Sequence, residues 1–196
     1  MIEHAERPRS KHSNAPEWSY ELTKENLLGI EFEPLRDFAV FAYVLGGRLN
    51  EVRFIRPVDI SSILISTGEE RIVVSMFTEK NPNIDRRIVP VNPISEKHYV
   101  DIIWNWKLAM TALKGEKEYP FRDFSERQYQ RWLRKELDTH PHALRHLRVH
   151  HVDDQEVPGM KPLSPRQFMS FFGWHLIETS AHYQSRTRGK DLAELM

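Results

Sequence analysis

A chain of 196 residues with 40% hydrophobic content is long enough for one substantial core, and on length alone for one domain rather than two. Charged residues make up 29% of it but cancel to a formal net charge of +0, so the overall balance announces neither a nucleic-acid nor a membrane partner, and any polyanion has to be met by local patches. Cysteine is absent, which excludes disulfides and thiolate metal sites; no apolar run approaches the roughly 20 residues that cross a bilayer, and the opening MIEHAERPRSKHSN has no signal-peptide segment, which together place the protein in the cytosol.

In chain order, residues 1–19 are polar, charged and proline-containing and read as a flexible lead-in, with one folded domain expected over 20–196. PLRDFAVFAYVLGG has a proline at its start, apolar residues on a helical face and Gly46 and Gly47 as a stop, which predicts a helix; RLNEVRFI predicts a short second one directly after it. The period then changes. ISSILIS, RIVVSMF and RRIVPV are rich in isoleucine and valine and are separated by the turn-like TGEE and TEKNPNID, which predicts a small antiparallel sheet of three strands. Beyond Ser95 helical spacing returns in EKHYVDIIWNWKLAMTALKG, SERQYQRWLRKELD, HALRHLRVHHVDD, SPRQFMSFFGW and the terminal KDLAELM. The expected fold class is α+β, mostly helical, with one sheet inserted near the N-terminal third and no internal repeat.

Several positions carry anion-binding or reactive chemistry. Arg48 opens a helix directly after two glycines, which let the backbone pack close there. Glu51, one turn on, either holds the guanidinium in place or forms an exposed pair worth a few tenths of a kcal/mol. Lys80 lies in the turn FTEKNPNIDRR, either solvated or able to reach a ligand and give up a proton. In HALRHLRVHH, His142 and Arg145 stand three apart on one helix face. A single phosphate can meet both, the guanidinium fork matching its oxygens and the imidazole moving a proton; the plain alternative is a solvated basic face. His142, His146 and His150 also recur at a spacing that can bind zinc, but no glutamate stands in an HExxH position and an arginine shares the surface, so His146 reads as a packed histidine. Tyr183, at the end of GWHLIETSAHY and before a basic tail, is either a half-buried packing residue or a nucleophile.

Set in chain order, Arg48 within GGRLNE, Lys80 in a strand turn, HALRH with His142 and Arg145, then Trp174 directly after Gly173, and Tyr183, the sequence resembles the catalytic domain of tyrosine recombinases, the phage-type integrase and Xer-like family, and more closely its archaeal members. No single element is specific, whereas their conjunction in the right order and at plausible separations is. The match runs from about Glu21 to the region of Tyr183.

The resemblance implies that Tyr183 attacks a scissile phosphate of double-stranded DNA, giving a 3′-phosphotyrosyl bond and a free 5′-hydroxyl. Arg48 and Arg145 would clamp the non-bridging oxygens, Lys80 would protonate the leaving 5′-oxygen, His142 would accept a proton or donate to the phosphate, and Trp174 would pack and hydrogen-bond there, with Glu51 and His146 in support. The family uses neither a metal nor a nucleotide cofactor, and works by self-association on DNA in a tetrameric synapse. The physics is consistent: a free tyrosine has a pKa near 10, so ionising it at pH 7 costs about 4 kcal/mol, and a positively charged pocket lowers that. Full-length members carry an N-terminal helical domain that grips the opposite face of the duplex; the stretch ahead of the first matching helix is too short for it, so weak DNA affinity is expected. Two other readings stand beside this one: a DNA-binding relic or regulator of the same fold, and a metal hydrolase built on the stripe of His142, His146 and His150.

Overall fold

The computed structural model describes residues 16–79, 86–92 and 95–174, and the elements are α1 (Tyr20–Leu28), α2 (Glu33–Val44), α3 (Leu49–Arg53), β1 (Ile60–Leu64), β2 (Glu70–Phe77), β3 (Arg86–Val91), α4 (Lys97–Lys114), α5 (Glu126–Leu137), α6 (Pro141–Asp153) and α7 (Pro165–Phe172). Lys80, Tyr183 and the helix expected over KDLAELM lie outside the described residues. Helix starts follow local chemistry. Ser125 and Gln128 form a reciprocal capping box at α5, Ser164 and Gln167 form another at α7, and prolines at the first turn of α2, α6 and α7 sit where a missing N–H does no harm.

α2 is the axis of the molecule. Every residue from Phe38 to Val44 is fully buried, as expected of a helix apolar on all sides. It packs on α6 and α4, with α1 and α5 also in contact, and Phe38 stacks on Tyr129 of α5 at 3.9 Å between ring centroids. The buried apolar side chains of the helices and the sheet form one cluster that runs from Tyr20 to Trp174. Among the described residues, no helix is long and apolar enough to cross a membrane.

The sheet has the order β1-β2-β3, antiparallel throughout, with Ile60 opposite Val74 and Val74 opposite Val89. Strand alternation is strict in β3: Arg87, Val89 and Val91 face the core, while Arg86, Ile88 and Pro90 face out. An arginine therefore occupies a position on the same inward row as two valines.

α6 departs from the solvated basic face that its sequence offers. Arg145 and Arg148 are 2% and 1% exposed, and the solvent side of the helix is the row of His142, His146 and His150. The reason is the apolar pattern, which surrounds the helix on every other side and leaves the arginines no route to water. Arg148 is neutralised by Glu96, with Nη1 to Oε1 at 2.6 Å and Nη2 to Oε2 at 3.0 Å. His151, also buried, donates from Nε2 to the Trp18 carbonyl at 2.7 Å, since a carbonyl only accepts; its Nδ1 then accepts from the Tyr43 hydroxyl at 2.7 Å. This ties the segment ahead of α1 to the far end of α6.

Candidate active site

The α2–α3 turn sets the site. Gly46 adopts a left-handed φ of 54°, and a Cβ there would come within 2.5 Å of the Phe172 ring, so both the backbone and the space require glycine. The turn aims the Gly46 carbonyl at Arg145, whose Nη1 donates to it, and at Arg87, whose Nη2 donates at 3.2 Å. Arg48 follows as the N-cap of α3, and its backbone N–H donates to Glu51 Oε2 at 2.9 Å.

Glu51 is a fully buried hub. Its Oε1 accepts from Arg48 Nη1 at 2.6 Å and from the Glu79 backbone N–H at 3.3 Å, and its Oε2 accepts from Arg87 Nη2 at 3.2 Å and Arg145 Nη1 at 3.5 Å. Burial pushes this carboxyl up, but the charges of Arg87, Arg145 and Arg48 outweigh it and hold the group below the usual carboxylate range. Burial also pulls the Arg87 guanidinium down to about 10, with Glu51 opposing, so it remains charged at neutral pH. The exposed-pair reading of Arg48 and Glu51 is thereby corrected: the carboxylate is inside because three guanidiniums converge on it from α3, β3 and α6.

Arg145 links this hub to the end of α7. Its Nη2 donates to the Phe172 carbonyl at 2.6 Å, and its guanidinium carbon lies 5.7 Å from the Phe172 ring and 5.8 Å from the Trp174 ring. Trp174 is buried and stacks on Phe172 at 5.2 Å. Gly173, left-handed at φ 66°, is the C-cap that turns the chain so that Trp174 folds back onto this cluster.

Arg48 also borders an open cleft of about 640 Å³ between α3, α5 and the start of α6. Arg127, Arg131 and Arg134 line its α5 wall and His142 its α6 edge, so four arginines face two glutamates, Glu79 and Glu126. Such a cleft suits a polyanion. His142 is exposed and its ring meets that of His146 edge-on at 4.4 Å. Burial, then the neighbouring His142 and His150, lower His146 to about 3, which keeps its imidazole neutral at physiological pH. Among the described residues no three histidine or carboxylate side chains gather as a metal-ligand group, so the stripe of His142, His146 and His150 does not form one.

Of the residues singled out in the sequence, Arg48, Glu51, Arg145 and Trp174 thus belong to one connected cluster, while His142 lines the same cleft as Arg48 with His146 beside it. Lys80 lies outside the described residues, but the backbone of Glu79, immediately before it, is held by Glu51. Sequence reasoning missed Arg87. The signal was available in RRIVPV, where alternation forces one of the two adjacent arginines inward.

No protein-family model and no curated protein matches the chain. Among solved structures it is similar to XerH site-specific recombinase bound to its difH substrate in a pre-cleavage complex, at 13% identity and a TM-score of 0.61, covering 85% of this chain and 49% of that one. It is also similar to XerA recombinase, at 17% identity and a TM-score of 0.63, covering 96% of this chain and 67% of that one. The chain thus spans about half the length of the first and two thirds of the second. What is shared at these identities is the fold, a mostly helical α+β domain with a small three-stranded antiparallel sheet, which is that of tyrosine recombinase catalytic domains.

Proposed function

We propose that residues 20–196 form the catalytic domain of a site-specific DNA recombinase or integrase, which cuts and rejoins double-stranded DNA through a 3′-phosphotyrosyl intermediate, with residues 1–19 as its lead-in. The observation that carries this reading is the double position of Arg48: it is fixed from behind by the buried Glu51 and borders a cleft walled by Arg127, Arg131 and Arg134 with His142 at its edge. A strand of DNA seated in that cleft meets the α5 arginines along its backbone and presents one phosphate to Arg48 and His142.

Chemistry follows from the charge arrangement. The Tyr183 oxygen attacks phosphorus, the bond to the 5′-oxygen breaks, Lys80 delivers a proton to that leaving oxygen, and His142 takes the phenolic proton. Charge that builds on the phosphoryl oxygens is met by Arg48 at the cleft and by the fixed positive field of the buried Arg145 behind it; preplaced charge of this kind is worth on the order of a hundred- to a thousand-fold in rate for each donor. Trp174 covers the apolar side of Arg145 and strengthens its field by keeping water away. Attack by a second 5′-hydroxyl on the phosphotyrosyl bond reverses the steps and joins a new strand. Neither a metal nor a nucleotide enters these steps. Work in a tetrameric assembly on DNA, in the cytosol, belongs to the same reading; an origin in a mobile element and kinship with archaeal members rest on the sequence elements alone.

A suicide-substrate assay tests this. Nicked duplexes carrying candidate attachment sequences are incubated in chelator with wild type and with Tyr183→Phe, and separated on a denaturing gel. A protease-sensitive covalent adduct is expected with wild type alone. Salt-sensitive binding without an adduct on any duplex would instead identify a DNA-binding protein that keeps the fold and has no strand-transfer activity.

A further inference from the structure

Arg87 is 4% exposed and stands on the inward row of β3 with Val89 and Val91. One guanidinium joins three segments of chain: Nη2 donates to the Gly46 carbonyl in the α2–α3 turn and to Glu51 of α3, each at 3.2 Å, while Nη1 donates to the Phe171 carbonyl in the last turn of α7. The side chain also lies directly under Gly173, where a Cβ would come within 3.0 Å of its Cδ and 3.3 Å of its Nε. That Nε has no hydrogen-bond partner among the described residues. Burying a guanidinium with one donor left over costs desolvation that an apolar side chain would not incur, so packing alone does not account for an arginine here.

The three segments it joins are the ones that position Arg48, Arg145 and Trp174. We propose that Arg87 is a positioning residue of the strand-transfer site, a strut that fixes the distance between the Glu51 hub and the Gly173–Trp174 corner. This rests on the recombinase reading above. Arg145 spans the same gap from the other side, from the Gly46 carbonyl to that of Phe172. With both in place the corner is held at two points and Trp174 has one seat; with Arg145 alone it pivots. Arg87 does not border the cleft, so its loss leaves the DNA-facing arginines in place and moves the reacting groups relative to one another.

The experiment compares wild type, Arg87→Met and Arg87→Lys for single-turnover cleavage of a nicked duplex at saturating DNA, for DNA affinity, and for amide hydrogen exchange. Arg87→Met is expected to cleave about 100-fold more slowly, the scale of a small misplacement at a reacting centre. DNA affinity stays at the wild-type value, and exchange rises at the Gly173 and Trp174 amides but not at those of α2. Arg87→Lys keeps the charge without the fork and shows the same split to a smaller degree, which supplies the answer if the methionine variant does not fold. Cleavage at the wild-type rate, a loss that only follows weaker binding, or exchange that rises equally through α2 would overturn the proposal. If wild type itself forms no adduct on any duplex, the recombinase reading fails separately, and the exchange data alone decide: local loosening retains Arg87 as the strut between the three segments, and unchanged exchange removes it.

Discussion

α5 and α6 are consecutive arginine-rich helices with opposite fates. On α5 the buried side chains are Tyr129 and Leu133, and Arg127, Arg131 and Arg134 fall on the opposite side, exposed along the cleft. On α6 the arginines are flanked by apolar residues, away from the row of His142, His146 and His150, and Arg145 and Arg148 are driven inside, each against a carboxylate from a distant part of the chain. Two arginine-bearing helices thus differ in kind, one carrying a loose, solvated field of positive charge and the other two fixed cations. The first kind can gather a polyanion and release it when salt rises. The second holds its geometry, which catalysis requires of charge that must already be in place.

Breaking the buried side has the largest expected effect. Arg148→Met leaves Glu96 buried without its partner and should destabilise the fold by about 3–5 kcal/mol in urea titration, most of it recovered by pairing the change with Glu96→Leu. A loss below about 1 kcal/mol, typical of surface pairs, would mean that Arg148 is not held as described. The exposed side is sharpened by replacing Arg127, Arg131 and Arg134 together with glutamine. Stability should stay within about 0.5 kcal/mol of wild type for each change. DNA binding should become less salt-sensitive, the slope of log K against log salt becoming shallower by about 0.9 for each phosphate that an arginine no longer neutralises. An unchanged slope would place DNA elsewhere.

The smallest effect concerns the histidine row that separates the two charge fields. Because His146 is lowered to about 3 in the fold from an ordinary 6.5, the unfolded chain takes up a proton that the folded one refuses. Its contribution is therefore fully present above about 6.5 and falls away as pH drops toward about 3. Melting temperature measured between pH 7 and pH 5 should decline less in His146→Asn than in wild type, and parallel curves would show that the ring is protonated in the fold.

How much of this was legible in the sequence differs between fold and site. The helices from α2 to α7 and the three strands follow from period and from turn residues, whereas α1 was not foreseen; RRIVPV matches β3 residue for residue. The conjunction around Arg48, Glu51 and Arg145 was legible as spacing. Which charges are inside was not, because burial of an arginine is decided by a partner that local sequence cannot name: Glu51 lies 94 positions from Arg145, and Glu96 lies 52 from Arg148. Arg87 was overlooked for a related reason. Two adjacent arginines at a strand start look like edge decoration; alternation turns one of them inward, but only the fold shows that it meets Glu51.

Among the described residues, five donors reach the Glu51 carboxylate: two from Arg48, one each from Glu79, Arg87 and Arg145. Two carboxylate oxygens offer about four lone-pair directions, so the hub is oversubscribed, and the Arg145 contact at 3.5 Å is the longest. An amide of the same shape would bring about two acceptor directions and two hydrogens of its own into a ring of guanidiniums. Counting donors against acceptors therefore sets glutamine against position 51, since its amide would turn two hydrogens toward groups that can only donate.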